Sequence, residues 1–330
     1  EPVARWQTAV QNGSVSMGPQ ASGRGLSQIP YEAVLGEGSY GIVWRAKERS
    51  THTWYAVKTI KTSREGGEQS SARRECDVAD RIRLIPHPCL VRLYHVHNYM
   101  DSGVYTLIME FCEGGDLLGR VRRVKQESRE QQRPYQPPRP AHKWIGQIFL
   151  GLEHMHKRME TLLRDLKPEN VLLDGQGHAK LVDFGCCKVA PKANTLVGTS
   201  EYMAPEVILG RGYTNVIDWW ALGVVLHELV VGPSPFGRDG QDQKEIFEEV
   251  LHAPLLHLPA VEDLAAGSAI SCLLERDPSR RLGSNGAIDI KQHSYFADFD
   301  WEALGLGCLA SPWVPERWEA HSHLEESGEP

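Results

Sequence analysis

The sequence predicts an α+β fold in two parts, a small β-rich lobe followed by a larger, mainly helical lobe. Three observations lead there. Five short runs rich in Val, Ile, Leu and Tyr lie ahead of Phe111, with one helical segment among them. After Phe111 the apolar spacing becomes that of helices. The chain, at 330 residues, is long enough for two lobes and a sizeable core.

In chain order, residues 1–28 are rich in Gly, Ser and Gln and read as a flexible leader. Tyr31-Glu32-Ala33-Val34-Leu35 and Gly41-Ile42-Val43-Trp44-Arg45-Ala46 flank a glycine-rich turn as two strands. Trp54 to Ile60 reads as a third. A polar linker with Gly66-Gly67 leads to a helix over about 70–84, where Glu75, Val78, Ala79 and Ile82 recur at helical spacing. Val91 to Val96 and Val104 to Met109 complete the strands. The small lobe is thus residues 29–111, the large lobe 112–297, and 298–330 a tail. Arg120 to Pro140 is charged and then proline-rich, too polar for core, and reads as a surface loop inserted near 120–140. A polyproline docking segment is the second reading of it. His142 to His156 is a strong helix; Val216 to Val231 is the most apolar one, a central pillar in which Gly223 permits close packing. Internal repeats are not seen.

The formal net charge of −7 argues against a nucleic-acid binder, and suits basic protein substrates or plain solubility. Seven cysteines without a CxxC pair suggest reduced thiols in an intracellular, cytoplasmic protein. Cys186 and Cys187 read as inert packing ahead of redox control. His154, His156 and His227 lack a metal-binding pattern and read as packing or surface residues. No apolar stretch reaches 18 residues, so no membrane span is expected. Starting at Glu1, the chain reads as a fragment or a processed form.

Chemistry concentrates in Leu163-Arg164-Asp165-Leu166-Lys167-Pro168-Glu169-Asn170 and, close behind, Asp183-Phe184-Gly185. An acid, a cation and an amide at fixed offsets, with a second acid beside a glycine, suit phosphoryl transfer: a carboxylate to orient a hydroxyl, a lysine near the moving phosphate, and Asn plus Asp for Mg2+. Gly36-Glu37-Gly38-Ser39-Tyr40-Gly41, then Val43, lets backbone N–H groups approach phosphates. A strand follows it, where a dinucleotide site would need a helix. Ala56-Val57-Lys58 sets a lysine between apolar strand residues. Its acidic partner on the following helix is taken as Glu75, with Asp77 and Glu68 as alternatives.

Together these motifs resemble a eukaryotic protein kinase over about residues 31–297. The match to H-R-D-L-x-x-x-N departs at one residue, Leu163 replacing His. The resemblance implies a bilobal kinase fold with a five-stranded antiparallel sheet, ATP and Mg2+ as cofactors, and protein substrates. By the same resemblance, Gly36, Gly38, Gly41, Val43, Ala56 and Lys58 line the nucleotide site. Met109 backs the adenine pocket and the backbone of Glu110 and Cys112 pairs with adenine. Asp165 is the catalytic base, Lys167 neutralises the γ-phosphate, and Asn170 and Asp183 hold the metal. Leu163 leaves the loop less well braced, while Asp218 braces it from the apolar helix.

Ala204-Pro205-Glu206 closes an activation segment, and Arg281 matches the arginine that pairs with Glu206. Lys167 two residues after the base, and Gly198-Thr199 ahead of Glu201-Tyr202, resemble serine/threonine kinases, with Thr199 contacting Asp165. Thr195 sits where the family is phosphorylated, by an upstream kinase, with Arg164 as the cation for that phosphate and Lys188 as a second candidate. Arg281-Leu282-Gly283, His293-Ser294-Tyr295-Phe296, Asp300-Trp301 and Ser311-Pro312-Trp313-Val314-Pro315 resemble the AGC group, relatives of protein kinases A, G and C. No Phe-x-x-Phe closes the chain, so the tail reads as truncated or as one that does not use that motif. Asp116, Glu169 and Glu228 match acids that bind arginines ahead of the acceptor in basophilic members. A monomer is the default. The competing reading is a pseudokinase scaffold; a small-molecule kinase is disfavoured by the Ala-Pro-Glu segment and Arg281.

Overall fold

The computed structural model describes residues 31–315 except 39–40, 50, 62–67, 100–103, 139–140, 256–262 and 312. The expected leader, the Gly66-Gly67 linker and the Ser39-Tyr40 tip of the glycine turn lie outside the described residues. The small lobe is one antiparallel sheet of β1 (Tyr31–Gly38), β2 (Gly41–Lys47), β3 (Trp54–Lys61), β4 (Leu93–Tyr99) and β5 (Val104–Glu110), ordered β1-β2-β3-β5-β4. Central β3 pairs on both sides, Lys58 opposite Val43 and opposite Leu107. Val57 and Ile60 are buried there. A Cβ at Gly41 would overlap the carbonyl oxygen of Thr59, so the turn requires glycine at that position.

Helix α1 (Glu68–Leu84) covers this sheet. Ala72, Glu75, Cys76, Ala79 and Ile82, at i, i+3, i+4, i+7 and i+10, form its buried stripe. The same rotation that packs Ala79 and Ile82 therefore buries Glu75 and leaves Asp77 exposed.

The large lobe contains α2 (Leu117–Glu130), α3 (Ala141–Arg158), α4 (Pro205–Ile208), α5 (Val216–Val231), α6 (Gln243–His252), α7 (Leu264–Leu273), α8 (Ala287–Gln292) and α9 (Trp301–Gly305). Short strands β6 (Thr161–Leu162) and β9 (Lys188–Val189) pair, as do β7 (Val171–Leu173) and β8 (Ala179–Leu181). Helix α5 is buried from Ile217 to Leu229 and packs on α3 and α7, as an all-round apolar helix must. A Cβ at Gly223 would come within 2.8 Å of Leu273 Cβ, which accounts for the glycine in the pillar.

The region 120–140 differs from the expected surface loop. Residues 117–130 form α2, with Leu117, Val121, Val124 and Ser128 buried at i, i+4, i+7 and i+11. Asp116 caps it, Oδ1 accepting from the Gly119 N–H at 2.6 Å. A narrow apolar stripe suffices because only one side of α2 meets the lobe; Arg122, Arg123, Arg129 and Glu130 are exposed, and Arg120, Lys125 and Glu127 are half-buried at its margins. The proline-rich coil that follows packs rather than projects: Tyr135 donates to the Leu229 carbonyl at 3.0 Å, and Pro138 is buried. Near the tail, Trp313 meets Trp144 edge-on at 6.0 Å with the Arg120 guanidinium 5.1 Å from its ring centre.

Among the described residues no helix is long and apolar enough to cross a membrane. All seven cysteines are free, and burial pushes the Cys186 thiol up to about 11, away from the thiolate.

Candidate active site

Lys58 Nζ donates to Glu75 Oε1 at 2.6 Å and to Asp183 Oδ1 at 3.0 Å. The strand, α1 and the segment after β8 thus converge on one ammonium. Burial disfavours its charge, but the two carboxylates outweigh that and raise Lys58 to about 12. Burial also raises Glu75, against the pull of Lys58. At Asp183 burial is outweighed by Lys58 and the Gly185 N–H, so its carboxyl is held below the usual range. Of the alternatives to Glu75, Asp77 points to solvent, and the side chain of Glu68 lies outside the described residues.

The loop between β6 and β7 is held from beneath by Asp218, in the first turn of α5 and 1% exposed. Its Oδ2 accepts from the Leu163 N–H at 3.0 Å and its Oδ1 from the Arg164 N–H at 2.9 Å. His156 Nε2 lies 2.7 Å from Oδ2, a polar contact that its expected packing or surface role did not include. Leu163 itself is fully buried among apolar neighbours. The expected loss of bracing is therefore not seen: backbone amides and His156 supply the polar ties, and the leucine supplies packing. His154 Nε2 meets the Ile85 carbonyl and His227 Nδ1 that of Pro233.

Asp165 Oδ1 accepts from Thr199 twice, the N–H at 3.0 Å and Oγ1 at 2.8 Å. Lys167 Nζ donates to Thr199 Oγ1 at 2.9 Å and lies 3.5 Å from Asp165 Oδ2. Asn170 Nδ2 donates to the Asp165 carbonyl at 2.9 Å, which leaves its amide oxygen to accept. Gly198 makes the Thr199 approach possible: its φ is +114° and a Cβ there would lie 2.6 Å from the Arg164 carbonyl. Arg164 and Asp183 adopt left-handed φ of 70° and 59°, uncommon backbone placed at the centre of the site.

Arg164 also reaches the segment ahead of Ala204-Pro205-Glu206. Its Nε donates to the Cys186 carbonyl at 2.6 Å and its Nη1 to Thr195 Oγ1 at 2.9 Å. Tyr213 OH donates to the Thr195 carbonyl at 2.8 Å, a partner that nothing in the local sequence announces. Lys188, the second candidate cation, lies in β9 opposite Leu162. Farther along, Arg281 forms a two-pronged ion pair with Glu206, Nη1 to Oε1 at 2.6 Å and Nη2 to Oε2 at 2.9 Å, across 75 residues. Arg281 also donates to the carbonyls of Glu275 and Val216.

At the junction of the lobes, Met109 pairs in register with Ala56 and with Leu93, and Cys112 is buried. The Glu110 carboxylate receives Lys180 Nζ at 3.0 Å and the Arg92 N–H at 2.7 Å. Gly36 and Gly38 lie in β1, opposite Val43 and Gly41. Glu228, 8% exposed, accepts Tyr202 OH on both oxygens, at 3.0 and 3.1 Å. Burial raises its carboxyl to about 7, with Tyr202 and Lys125 pulling the other way. Glu169 is exposed in the 168–170 turn, against which α2 packs. Asp116 stands apart from these two, turned into the start of α2. Tyr202 and Lys125 are the neighbours of Glu228 that sequence reading missed, since each lies on a different element from it.

A bilobal frame with a lysine–glutamate pair in its sheet lobe and an Asp–Lys–Asn loop in its helical lobe defines a protein kinase. Residues 30–296 match the protein kinase domain family, and the chain belongs to that family. Within it, the chain falls in the AGC group of serine/threonine kinases. It is 40% identical over 294 residues to the cGMP-dependent protein kinase of Plasmodium berghei, covering 88% of this chain and 33% of that one. It is 37% identical over 290 residues to the serine/threonine-protein kinase gad8 of Schizosaccharomyces pombe, covering 86% and 48%. With human serine/threonine-protein kinase Sgk2 it shares 34% over 317 residues, covering 94% and 82%. The chain spans about a third of the length of the cGMP-dependent relatives it matches.

Proposed function

We propose that the chain transfers the γ-phosphate of Mg-ATP to Ser or Thr hydroxyls of protein substrates. The observation that carries this is the joint contact of Lys58 with Glu75 and Asp183, in the same molecule as an Asp165 held by Thr199 and Lys167. Lys58, oriented by Glu75, meets the α- and β-phosphates, under the turn of Gly36, Gly38 and Gly41. Val43, Ala56 and Met109 enclose adenine, and the backbone of Glu110 and Cys112 reads its edge. Asp165 accepts the hydroxyl's hydrogen bond and aims it, and Lys167 offsets charge on the moving phosphoryl group.

The donor set fits a hard divalent cation: the free amide oxygen of Asn170 and the second carboxylate oxygen of Asp183 are oxygen ligands. Magnesium, when bound, neutralises phosphate charge. The scaffold reading, which rests on Leu163, the 120–140 region and the choice of helix acid, gains no contact in the site: Leu163 is buried over a loop tied to Asp218, and Glu75 pairs with Lys58. Transfer of labelled phosphate from Mg-ATP to an Arg-Arg-x-Ser peptide, against a matched acidic peptide, tests the proposal. No transfer to either by folded, ATP-binding protein phosphorylated at Thr195 would turn it toward the scaffold.

Thr195 is the activating position in this reading. Its hydroxyl already faces the Arg164 guanidinium, so a phosphate there joins the activation segment to the residue beside the base. Thr195→Ala is expected to lower activity at least about tenfold, one or two charge-assisted hydrogen bonds' worth. Equal activity in the variant, against wild type verified as phosphorylated at Thr195, removes the switch.

Glu169 and Glu228 are the sites for arginines ahead of the acceptor; Asp116, expected beside them, is engaged in the cap of α2. Because burial raises Glu228 to about 7, it is anionic and holds arginine above that pH and is neutral below it. KM for the Arg peptide, relative to an Ala-substituted one, is therefore expected to rise by up to about tenfold from pH 8 to pH 6. Glu228→Gln should flatten that ratio; a slope unchanged in the variant would assign the titration elsewhere.

A further inference from the structure

Helix α2 gathers cations on one side. Arg122, Lys125 and Arg129, at i, i+3 and i+7, neighbour one another along it. Arg122 and Arg129 are exposed, and both bear on Lys125, whose charge is disfavoured first by burial and then by these two arginines. Like charges three and four residues apart destabilise a helix. Among the described residues, the ion pair that α2 forms, Arg120 with Glu127 at 3.9 Å, lies on a different side. Glu228 attracts Lys125, and neither Arg122 nor Arg129 forms an ion pair with a described residue. A cationic row on a chain of net charge −7 is thus local, and its outer members are open to an anion.

Its position says which anion. Helix α2 packs on the turn that carries Glu169, and Lys125 lies within electrostatic reach of Glu228. Lys125, the middle of the row, is the member that Glu228 attracts, and Arg122 and Arg129 lie about one turn to either side of it. Seven residues of helix span about 10 Å, close to three residues of extended chain. A substrate whose arginines lie on Glu169 and Glu228 would carry its preceding residues along this row.

We propose that Arg122, Lys125 and Arg129 select an acidic segment of about three residues, Asp, Glu or phosphorylated Ser, placed N-terminal to the basic residues of the protein substrate. The proposal rests on the basophilic reading of Glu169 and Glu228. It divides the groove by charge, acids of the kinase reading arginines near the acceptor and cations of α2 reading acids beyond them. Opposed charges in series also fix direction and register, because a shifted peptide would set like charges together.

Four peptides separate the two ideas: Arg-Arg-x-Ser or Ala-Ala-x-Ser, each preceded by three Glu or three Ala. With arginines present, the Glu extension is expected to lower KM about fivefold at low salt, with kcat the same, as two exposed ion pairs allow. The gain should fade near 0.3 M salt, where the screening length is about 6 Å. In an Arg122→Gln, Arg129→Gln double variant the Glu-to-Ala ratio of KM should approach one. Both positions are exposed, so melting temperature serves as the check on folding. No gain from the Glu extension in wild type, or a gain kept in the variant, overturns the proposal. Equal KM for the Arg and Ala cores under the Ala extension would instead refute the basophilic reading, whatever the acidic comparison shows. Binding to phosphatidylserine vesicles that the double variant loses, without any peptide effect, would assign the row to a lipid surface and overturn it as well.

Discussion

Asp183→Asn is expected to lower kcat about 10³-fold, the several kcal/mol that a misplaced metal clamp costs in transition-state charge stabilisation. Asparagine keeps the side-chain shape and tolerates the left-handed φ of 59° at this position, so the fold survives the change. What goes is the Asp183 charge, one of the two carboxylates that Lys58 pairs with, at the 3.0 Å contact that complements its pair with Glu75. Lys58 then keeps Glu75 alone, and its grip on the large lobe is lost. Single-turnover transfer, measured beside nucleotide binding, checks this. Activity within tenfold of wild type would show that Asp183 is not the metal-holding acid and would undo the proposed assignment of the site.

The second large effect is on stability. Arg281→Leu is expected to destabilise the chain by about 3–5 kcal/mol, because Glu206 would keep a buried charge without its partner. The pair is dry: Arg281 is 1% and Glu206 4% exposed. The guanidinium also satisfies the carbonyls of Glu275 and Val216 and lies over the Trp220 ring at 5.1 Å. Adding Glu206→Gln should recover part of the loss, since it removes the stranded charge while leaving the cavity. Denaturant titration measures both. A loss below about 1 kcal/mol, the range of exposed pairs, would mean that water reaches the pair.

The strands of the small lobe were legible because each is a local matter, a short β-branched run ended by glycine or a polar turn. The pillar α5 was legible to the residue, Val216–Val231, because a run so largely apolar, broken only by Asp218, His227 and Glu228, has no other place than a core. Helix α2 was not. Its buried positions are four among fourteen, its charges outnumber them, and the prolines after Gln132 pulled the whole stretch toward coil. The departure at Leu163 misled in another way, since a residue type was weighed where the backbone amide does the holding.

Spacing along the chain was enough for the family, and it singled out the 163–170 loop, the Asp183 turn and Lys58 as candidates, because those features are sets of residues at short, constant offsets. The choice of Glu75 over Asp77 needed the rotation of α1 against the sheet, which one packed stripe sets. Contacts between distant segments, His156 with Asp218, Tyr202 with Glu228, Tyr213 with Thr195, depend on how α3, α5 and the 183–206 segment dock. So does the nearness of Lys125 to Glu228, and with it the cationic row of α2. A chain encodes its local periodicities in neighbouring residues, whereas a hydrogen bond between elements exists only once burial has brought them within about 3 Å.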